Sequence, residues 1–315
     1  MKAYFALAYG GPEKSVIGDL PDPVPGKNQI LVEVKAVSIN PVDYKVRRGD
    51  LKFLSGSKFP KIVGSDFAGI VKLVPEGVAG FAPGDRVYGA LNVLMGRQGS
   101  LAELAVANAG SVRKIPEGIS FEQAASLPVA ALTALNGIRR CRVKKGTRLF
   151  INGASGGVGH FAVQMAREKG AVITASCSEK NAGFVTQLGA HHTLRYGENM
   201  TAGITGKFDA VFDAHGSMPL RLVRRLVKRG GVYASTMPSP ARMLLSLPVK
   251  LLFCITLTSA NMRALPSDYA ELEELVTSGN VVPVIDHVFH FDTIAQAFEL
   301  AEKGGFRGKI VVTIP

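Results

Sequence analysis

Cysteine is scarce: Cys141, Cys177 and Cys254 are the three in 315 residues, widely spaced and with no CxxC pair. That excludes a disulfide framework and a cysteine-only zinc knot, and it fits a reducing compartment. The first part of the chain lacks soft metal ligands altogether, with no Cys before position 141 and no His before position 160. A long uninterrupted apolar run is also missing. The start, MKAYFALAYGGPEKS, has one lysine and a short apolar stretch before Gly10-Gly11-Pro12, not the long apolar region of a signal peptide. It reads as a first strand, and a cytoplasmic location is expected. The most hydrophobic later stretch, Met243 to Leu257, is interrupted by Pro248 and Lys250. It falls short of the ~20 apolar residues that a spanning helix needs, so core or subunit interface is expected there. Neither internal repeats nor low-complexity segments occur. A hydrophobic content of 47% with 20% charged residues excludes a disordered or collagen-like chain.

What is present is glycine and positive charge. Glycine supplies 35 of 315 residues, about 11% against roughly 7% on average, which implies many tight turns and a glycine-rich ligand loop. The 37 basic and 25 acidic residues leave a formal net charge of +12, which favours a polyanion, an anionic membrane surface or a negatively charged ligand. The length allows two domains.

Up to about residue 118 the pattern is short strands broken by Gly and Pro. Ile30, Val32, Val34 and Ala36 alternate with Leu31, Glu33, Lys35 and Val37, and further apolar runs follow at Phe67 to Val74, Arg86 to Leu91 and Leu101 to Val106. From Phe121 helix and strand alternate. Strands are expected at Arg148 to Asn152, Val172 to Ala175, Phe208 to Asp213 and Val232 to Ser235. Helices are expected at Val158 to Lys169, Lys180 to Leu188 and about Met218 to Arg229. This alternation predicts an α/β fold with a doubly wound parallel sheet, the Rossmann arrangement, over residues 121–261. Helices at Ser267 to Ser278 and Thr293 to Lys303, and strands at Val281 to Val288 and Lys309 to Ile314, complete the chain. These last pieces are expected to rejoin the strand-rich part, which gives a first domain of residues 1–120 and 262–315.

The run Leu149-Phe150-Ile151-Asn152-Gly153-Ala154-Ser155-Gly156-Gly157-Val158-Gly159 sets a glycine-rich turn between a buried strand and a helix. Small residues let the backbone approach a pyrophosphate, whose charge the free amides of a helix N-terminus stabilise. The spacing Ala154-x-Gly156-x-x-Gly159 is a dinucleotide fingerprint with alanine in place of its first glycine. About 20 residues further on, an acid would hydrogen-bond the ribose 2′-OH of NAD; the residue here is Ser176, with Lys180 close by. That combination favours NADPH.

Taken with Ser38-Ile39-Asn40-Pro41-Val42-Asp43, Gly64-Ser65-Asp66-Phe67-Ala68-Gly69, Pro83-Gly84-Asp85-Arg86-Val87, Leu127-Pro128-Val129-Ala130-Ala131-Leu132-Thr133-Ala134 and Gly308-Lys309-Ile310-Val311, the loop makes the chain resemble the zinc-independent quinone oxidoreductase branch of the medium-chain dehydrogenase/reductases. The resemblance implies a GroES-like β-barrel built from both termini around a central Rossmann domain, with the active site in the cleft between them. Zinc-using relatives carry a catalytic Cys and a Gly-His-Glu where this chain reads Val37-Ser38-Ile39-Asn40 and Gly64-Ser65-Asp66, so no metal is expected. What remains is hydride transfer to a quinone or to an α,β-unsaturated carbonyl, an enone or alkenal.

The resemblance also implies roles. Ser155, Gly156, Gly157 and Val158 hold the pyrophosphate, and Thr133 lies beside the nicotinamide. Ser176, Lys180 and Tyr196 take the 2′-phosphate and adenosine ribose, and Asn40 faces the nicotinamide and substrate. For the final protonation the candidates are Tyr44, His215 and water; many relatives place a tyrosine where this chain has Lys45. A homodimer, paired through the sheet edge near residues 251–257, is implied as well. Arg221, Arg224, Arg225, Lys228 and Arg229 repeat at helical spacing opposite Leu222, Val223, Leu226 and Val227, which predicts one strongly positive helix face. A solvated face and peripheral contact with an anionic membrane are its two main readings, and the lack of interleaved aromatics weighs against nucleic acid. The rival to the enzyme is a non-catalytic NADPH-binding protein associated with a membrane surface or nucleic acid.

Overall fold

The computed structural model describes residues 1–94, 98–197, 204, 206–237 and 240–315, without the side chains of 240–243. The chain forms two compact units. One comprises Met1–Val129, Ala264–Ala270 and Pro283–Pro315, the other Ala130–Arg263 and Glu271–Val282. The boundaries expected at 120 and 262 therefore differ, with 121–129 in the first unit and 271–282 in the second.

In the first unit, β1 (Lys2–Ala6), β2 (Ser15–Asp19) and β4 (Lys61–Ile62) make a small antiparallel sheet. The larger sheet is centred on the ten-residue β3 (Gln29–Ser38), whose Ile30, Val32, Val34 and Ala36 are all buried, as their alternation predicts. It continues through β5 (Asp66–Leu73), β6 (Arg86–Ala90), β7 (Leu104–Asn108) and β8 (Val112–Lys114). Short helices α1 (Pro41–Arg48), α2 (Lys52–Ser55) and α3 (Phe121–Ala125) interrupt the strands.

The second unit holds one six-stranded sheet of β9 (Arg148–Asn152), β10 (Val172–Cys177), β11 (His192–Arg195), β12 (Phe208–Asp213), β13 (Val227–Ser235) and β14 (Thr256–Ser259). Every pairing is parallel and the order is β11-β10-β9-β12-β13-β14. The order reverses between β9 and β12, and such sheets bind ligands at the C-terminal ends of the strands at that point. Leu149, Phe150 and Ile151 of β9 are fully buried, which is why the strand reads as a continuous apolar run rather than an alternation. The helices along this part of the chain are α4 (Pro128–Arg140), α5 (Gly157–Glu168), α6 (Ala182–Gln187), α7 (Leu220–Leu226), α8 (Pro240–Phe253) and α9 (Pro266–Thr277).

The chain then returns to the first unit as β15 (Ile285–His290), α10 (Ile294–Lys303) and β16 (Lys309–Thr313). β16 pairs antiparallel with β3, so one sheet draws strands from both ends of the chain.

Four expectations are corrected. The strand expected from Leu101 begins at Leu104. The helix expected from Met218 to Arg229 stops at Leu226, because Val227 turns extended and joins β13, opposite Phe208 of β12. Lys228 and Arg229 therefore leave the helix face, and Lys228 pairs with Asp209. The helix expected from Lys180 is a 3-10 turn, Glu179–Asn181, followed by α6. Finally, of the two expectations for the stretch from Leu244, core or subunit interface, core does not hold for most of its leucines. Val249 and Ile255 are buried, but Leu244, Leu245, Leu247, Leu251 and Leu252 are exposed. No described helix is long and apolar enough to cross a membrane.

Candidate functional site

In the second unit the chain leaves β9 through Gly153, whose φ of +83° is the left-handed region that glycine adopts without strain. A side chain there would press on His215, whose Cβ lies 3.1 Å from the position of an added Cβ. Gly156 caps α5, and the helix starts at Gly157. The first-turn amides of Gly157 and Val158 thus have no partner inside the helix. Two glycines of the loop differ in what they leave room for. A Cβ on Gly159 would collide with the Gly153 carbonyl and come within 2.7 Å of Ala154 Cα, so this glycine lets helix and turn pack together. A Cβ on Gly156 would meet only the Gly153 oxygen, at 3.6 Å. The protein does not fill that space, and it lies at the positive end of a helix, which fits a pyrophosphate.

The loop is tied to the strands beneath it. Ser176, fully buried near the end of β10, donates its hydroxyl to Asn152 Oδ1 at 2.7 Å and accepts from the Gly153 amide at 3.3 Å. The Ser176 carbonyl accepts from Ala154 N at 3.0 Å. Expected at the 2′-phosphate, Ser176 instead engages its hydroxyl inside the chain. Asn152 Nδ2 in turn donates to Asp213 Oδ1 at 2.7 Å. Asp213 also accepts from Gly216 N, Met218 N and Tyr233 Oη, each at 2.8 Å.

Around this core lie the other candidates of the unit. Tyr196 follows β11 and is 42% exposed; partial burial of its phenol raises its pKa, the nearby Cys177 and Asp213 push the same way, and the Ser176 hydroxyl opposes them. It is therefore a neutral hydroxyl at pH 7. Lys180 is exposed in its 3-10 turn, while the neighbouring Glu179 is ion-paired with Arg195 at 3.0 Å. No buried acid stands at the end of β10. His215 is exposed, with Nδ1 2.7 Å from Ser217 Oγ. Thr133 is buried in α4.

In the first unit Asn40 is buried at the N-terminus of α1 and both ends of its amide are engaged. Nδ2 lies 2.7 Å from Asp66 Oδ2, 3.2 Å from Ser65 Oγ and 3.2 Å from the Ser38 carbonyl; Oδ1 accepts from Lys309 Nζ at 2.6 Å. Asp66 also accepts from Ser38 Oγ at 2.7 Å and from Val129 N at 2.9 Å, and Lys309 Nζ is 3.7 Å away. Burial raises the Asp66 carboxyl and lowers the Lys309 ammonium, each opposed by the other's charge. Asp43, in the first turn of α1, accepts the Asn40 amide at 2.8 Å, and burial pushes its carboxyl to about 7. Tyr44 is half-buried beside it, its phenol raised mainly by burial.

Lys309, Asp66 and Asp43 escape a reading by residue type. The motif Gly308-Lys309-Ile310-Val311 is visible in the sequence, but a lysine opening a strand reads as solvated, and only the burial of both faces of β16 places it inside. Among the described residues no group of three or more His, Cys, Asp or Glu could hold a metal ion.

Two family models match the chain: an alcohol dehydrogenase GroES-like domain over residues 26–117 and a zinc-binding dehydrogenase over residues 188–312. The chloroplast envelope quinone oxidoreductase homolog of Arabidopsis thaliana is 33% identical over 305 residues, covering 93% of this chain and 92% of that protein. The chloroplastic NADPH-dependent alkenal/one oxidoreductase of Arabidopsis thaliana is 30% identical and covers 99% and 79%. Among solved structures, the quinone oxidoreductase from Coxiella burnetii superposes with a TM-score of 0.93 at 30% identity, covering 100% of this chain and 99% of that one. The zinc in the second model's description does not fit the donors found in the first unit. Ser38, Asn40 and Ser65 are neutral there, and the Asp66 carboxylate already has the Lys309 ammonium beside it.

Proposed function

The chain belongs to the quinone oxidoreductase branch of the medium-chain dehydrogenase/reductases, oxidoreductases that use a nicotinamide cofactor, and from that membership we propose that it is an NADPH-dependent reductase of quinones or α,β-unsaturated carbonyls that works without a catalytic metal ion. The observation that carries the reading is the unfilled space at Gly156, bounded by the first-turn amides of α5.

Bound there, the cofactor supplies a hydride. Ser155, Gly156, Gly157 and Val158 hold its pyrophosphate, and Thr133 contacts the nicotinamide. At the adenosine end, Lys180 neutralises the 2′-phosphate and the Tyr196 hydroxyl donates to the ribose. Ser176 acts through the loop as a positioning residue, since its hydroxyl orders Gly153 and Asn152. A quinone or enone is already electrophilic and needs no Lewis acid of the kind alcohol oxidation uses. The Lys309 ammonium beside Asp66 supports the metal-free reading, because a divalent cation placed there would be repelled.

Asn40, which starts α1, is assigned to the nicotinamide and substrate, and Tyr44, one turn along that helix, is a candidate proton donor. The phenol is protonated at neutral pH even at its ordinary pKa, and burial, which raises it, makes it a weaker acid, so water stands beside it as a proton source. His215, beside the glycine loop, is the alternative donor. The reading includes a homodimer paired across the open edge of β14.

The test is oxidation of NADPH, then of NADH, with benzoquinone, phenanthrenequinone, an alkyl vinyl ketone and a long-chain alkenal. Turnover with at least one acceptor and preference for NADPH are expected. Tight NADPH binding with no turnover on any of them would instead favour the non-catalytic protein.

A further inference from the structure

Two carboxyls lie buried at the start of α1, and their surroundings give them different protonation states. Asp66 holds the charge. Its Oδ1 accepts from Val129 N at 2.9 Å, its Oδ2 accepts from Ser38 Oγ and Asn40 Nδ2, each at 2.7 Å, and the Lys309 ammonium stands 3.7 Å away. A proton on either oxygen would face a donor already in place. Asp43 is the acid. Its Oδ2 accepts one backbone amide, that of Asn40 at 2.8 Å, and its Oδ1 is buried with no hydrogen-bond partner among the described residues. The groups that face it are Asp66 on β5, Lys309 on β16 and, on its own helix, Tyr44. The Asp66 and Lys309 charges oppose each other there, so burial decides and raises the carboxyl to about 7. Carboxyls set apart in this way take the separate roles of anion and proton donor.

Ser65 gives that acid an outlet. Its hydroxyl favours the ionised form of Asp43 and so lies within reach of the carboxyl, and its Oγ is 3.2 Å from Asn40 Nδ2. Accepting from the amide leaves the hydroxyl hydrogen to give and a second lone pair to take a proton. The rest of the cluster has none to spare. Lys309 Nζ donates to Asn40 Oδ1 at 2.6 Å and to the Ile39 carbonyl at 3.3 Å, and deprotonating it would leave Asp66 uncompensated. The Tyr44 phenol, which burial raises above its ordinary value of 10, is a far weaker acid than Asp43.

We infer that Asp43 is the proton store of the reduction and that Ser65 passes its proton to the acceptor. The acceptor, once it has taken hydride, is an enolate or a hydroquinone anion. Its anionic oxygen takes the Ser65 hydroxyl proton as that O–H bond breaks. Ser65 Oγ takes the proton of the Asp43 carboxyl, whose O–H bond breaks in turn. The Asp43 carboxylate left behind is a buried anion, and it recovers a proton from water before the next turnover. The reduction thus adds one hydride and one proton to the acceptor, and needs no reductant beyond the cofactor. The inference rests on the proposed reduction and on the assignment of Asn40 to the nicotinamide and substrate, because Ser65 stands against that amide.

The test is the pH dependence of kcat with benzoquinone and with an alkyl vinyl ketone, in the wild type and in Asp43→Asn, Ser65→Ala and Ser65→Thr. In the wild type kcat should fall as pH rises through about 7, because the acid must hold its proton. At about pH 6, Asp43→Asn and Ser65→Ala should each lower kcat about a hundredfold and abolish the fall with pH, while KM and NADPH affinity stay the same. Ser65→Thr keeps the hydroxyl and should restore both the rate and the pH dependence. A merely structural role would lower the whole profile without flattening it. Titrated by infrared spectroscopy, the wild type should show a protonated-carboxyl band that Asp43→Asn lacks, a difference read without turnover; if Asp43→Asn fails to fold, the two Ser65 variants decide. A wild-type kcat that does not change with pH, or variants that keep the wild-type fall, would overturn the relay and leave the reductase reading in place. Tight NADPH binding by the wild type without turnover on any acceptor would overturn that reading, and the relay with it.

Discussion

Lys309 Nζ donates to Asn40 Oδ1 at 2.6 Å from the first residue of the last strand, with Asp66 Oδ2 3.7 Å away and all three side chains buried. The lysine thus stabilises a buried carboxylate and fixes the amide that starts α1. Removing one partner of a buried pair leaves the other charge uncompensated, whereas removing both does not. Lys309→Met should cost about 3 kcal/mol in urea unfolding. Adding Asp66→Asn should restore more than half of that. NADPH affinity should stay the same in both variants while kcat falls, since the cluster belongs to the unit without the glycine loop. A double variant no more stable than Lys309→Met would refute the ion-pair account.

Much of the second unit is legible because its central strands are buried on both faces. Arg148–Asn152 and Phe208–Asp213 form strands over the expected residues, each an apolar run ending in a polar residue of the site. The errors arise where a partner distant in sequence decides. The cations from Arg221 to Arg229 keep a helical period, yet Val227 leaves the helix to pair with Phe208. The leucines of α8 read as core or subunit interface because hydrophobicity alone does not separate the two, and only the packing of Val249 and Ile255 shows which face turns in. Of the site, the glycine loop is visible as a spacing. The Asn40, Asp66 and Lys309 cluster is not, because its members lie on three segments that only the sheet brings together.

The two loop glycines should separate binding from folding. Gly156→Ala meets only the Gly153 oxygen at 3.6 Å, so the protein should keep its stability while the cofactor loses about tenfold in affinity, or about 1.4 kcal/mol. Gly159→Ala strikes the Gly153 carbonyl and should destabilise the fold by about 2 kcal/mol through overpacking. Urea unfolding and fluorescence titration with NADPH read the two quantities. Unchanged cofactor affinity in Gly156→Ala would argue against the pyrophosphate assignment.

Lys180 tests the preference for the phosphorylated cofactor. It is exposed, so its interaction with a 2′-phosphate is screened by water and salt. Lys180→Ala should therefore weaken NADPH only about fivefold, close to 1 kcal/mol, and leave NADH affinity unaltered. The ratio of the two dissociation constants, measured at two salt concentrations, is the readout. Equal weakening of both cofactors would remove Lys180 from the 2′-phosphate.

Asp43 should make stability depend on pH in an unusual direction for a carboxylate. Burial raises its folded-state pKa from 3.8 to about 7, with Asp66 adding repulsion and the Asn40 amide opposing. The folded chain then holds this proton more tightly than the unfolded chain does. The resulting stability is complete below about pH 4 and is lost as pH rises through about 7. A shift of about three units corresponds to about 4 kcal/mol, at about 1.4 kcal/mol per unit. Asp43→Asn keeps an oxygen for the Asn40 amide and removes the titration. Asp66 and Lys309 are coupled to Asp43, so the difference between the two unfolding free energies reports the Asp43 titration together with its effect on those two groups. Between about pH 5 and 8, urea unfolding should show the wild type losing stability relative to Asp43→Asn. Parallel curves across that range would mean that Asp43 titrates as an ordinary carboxylate.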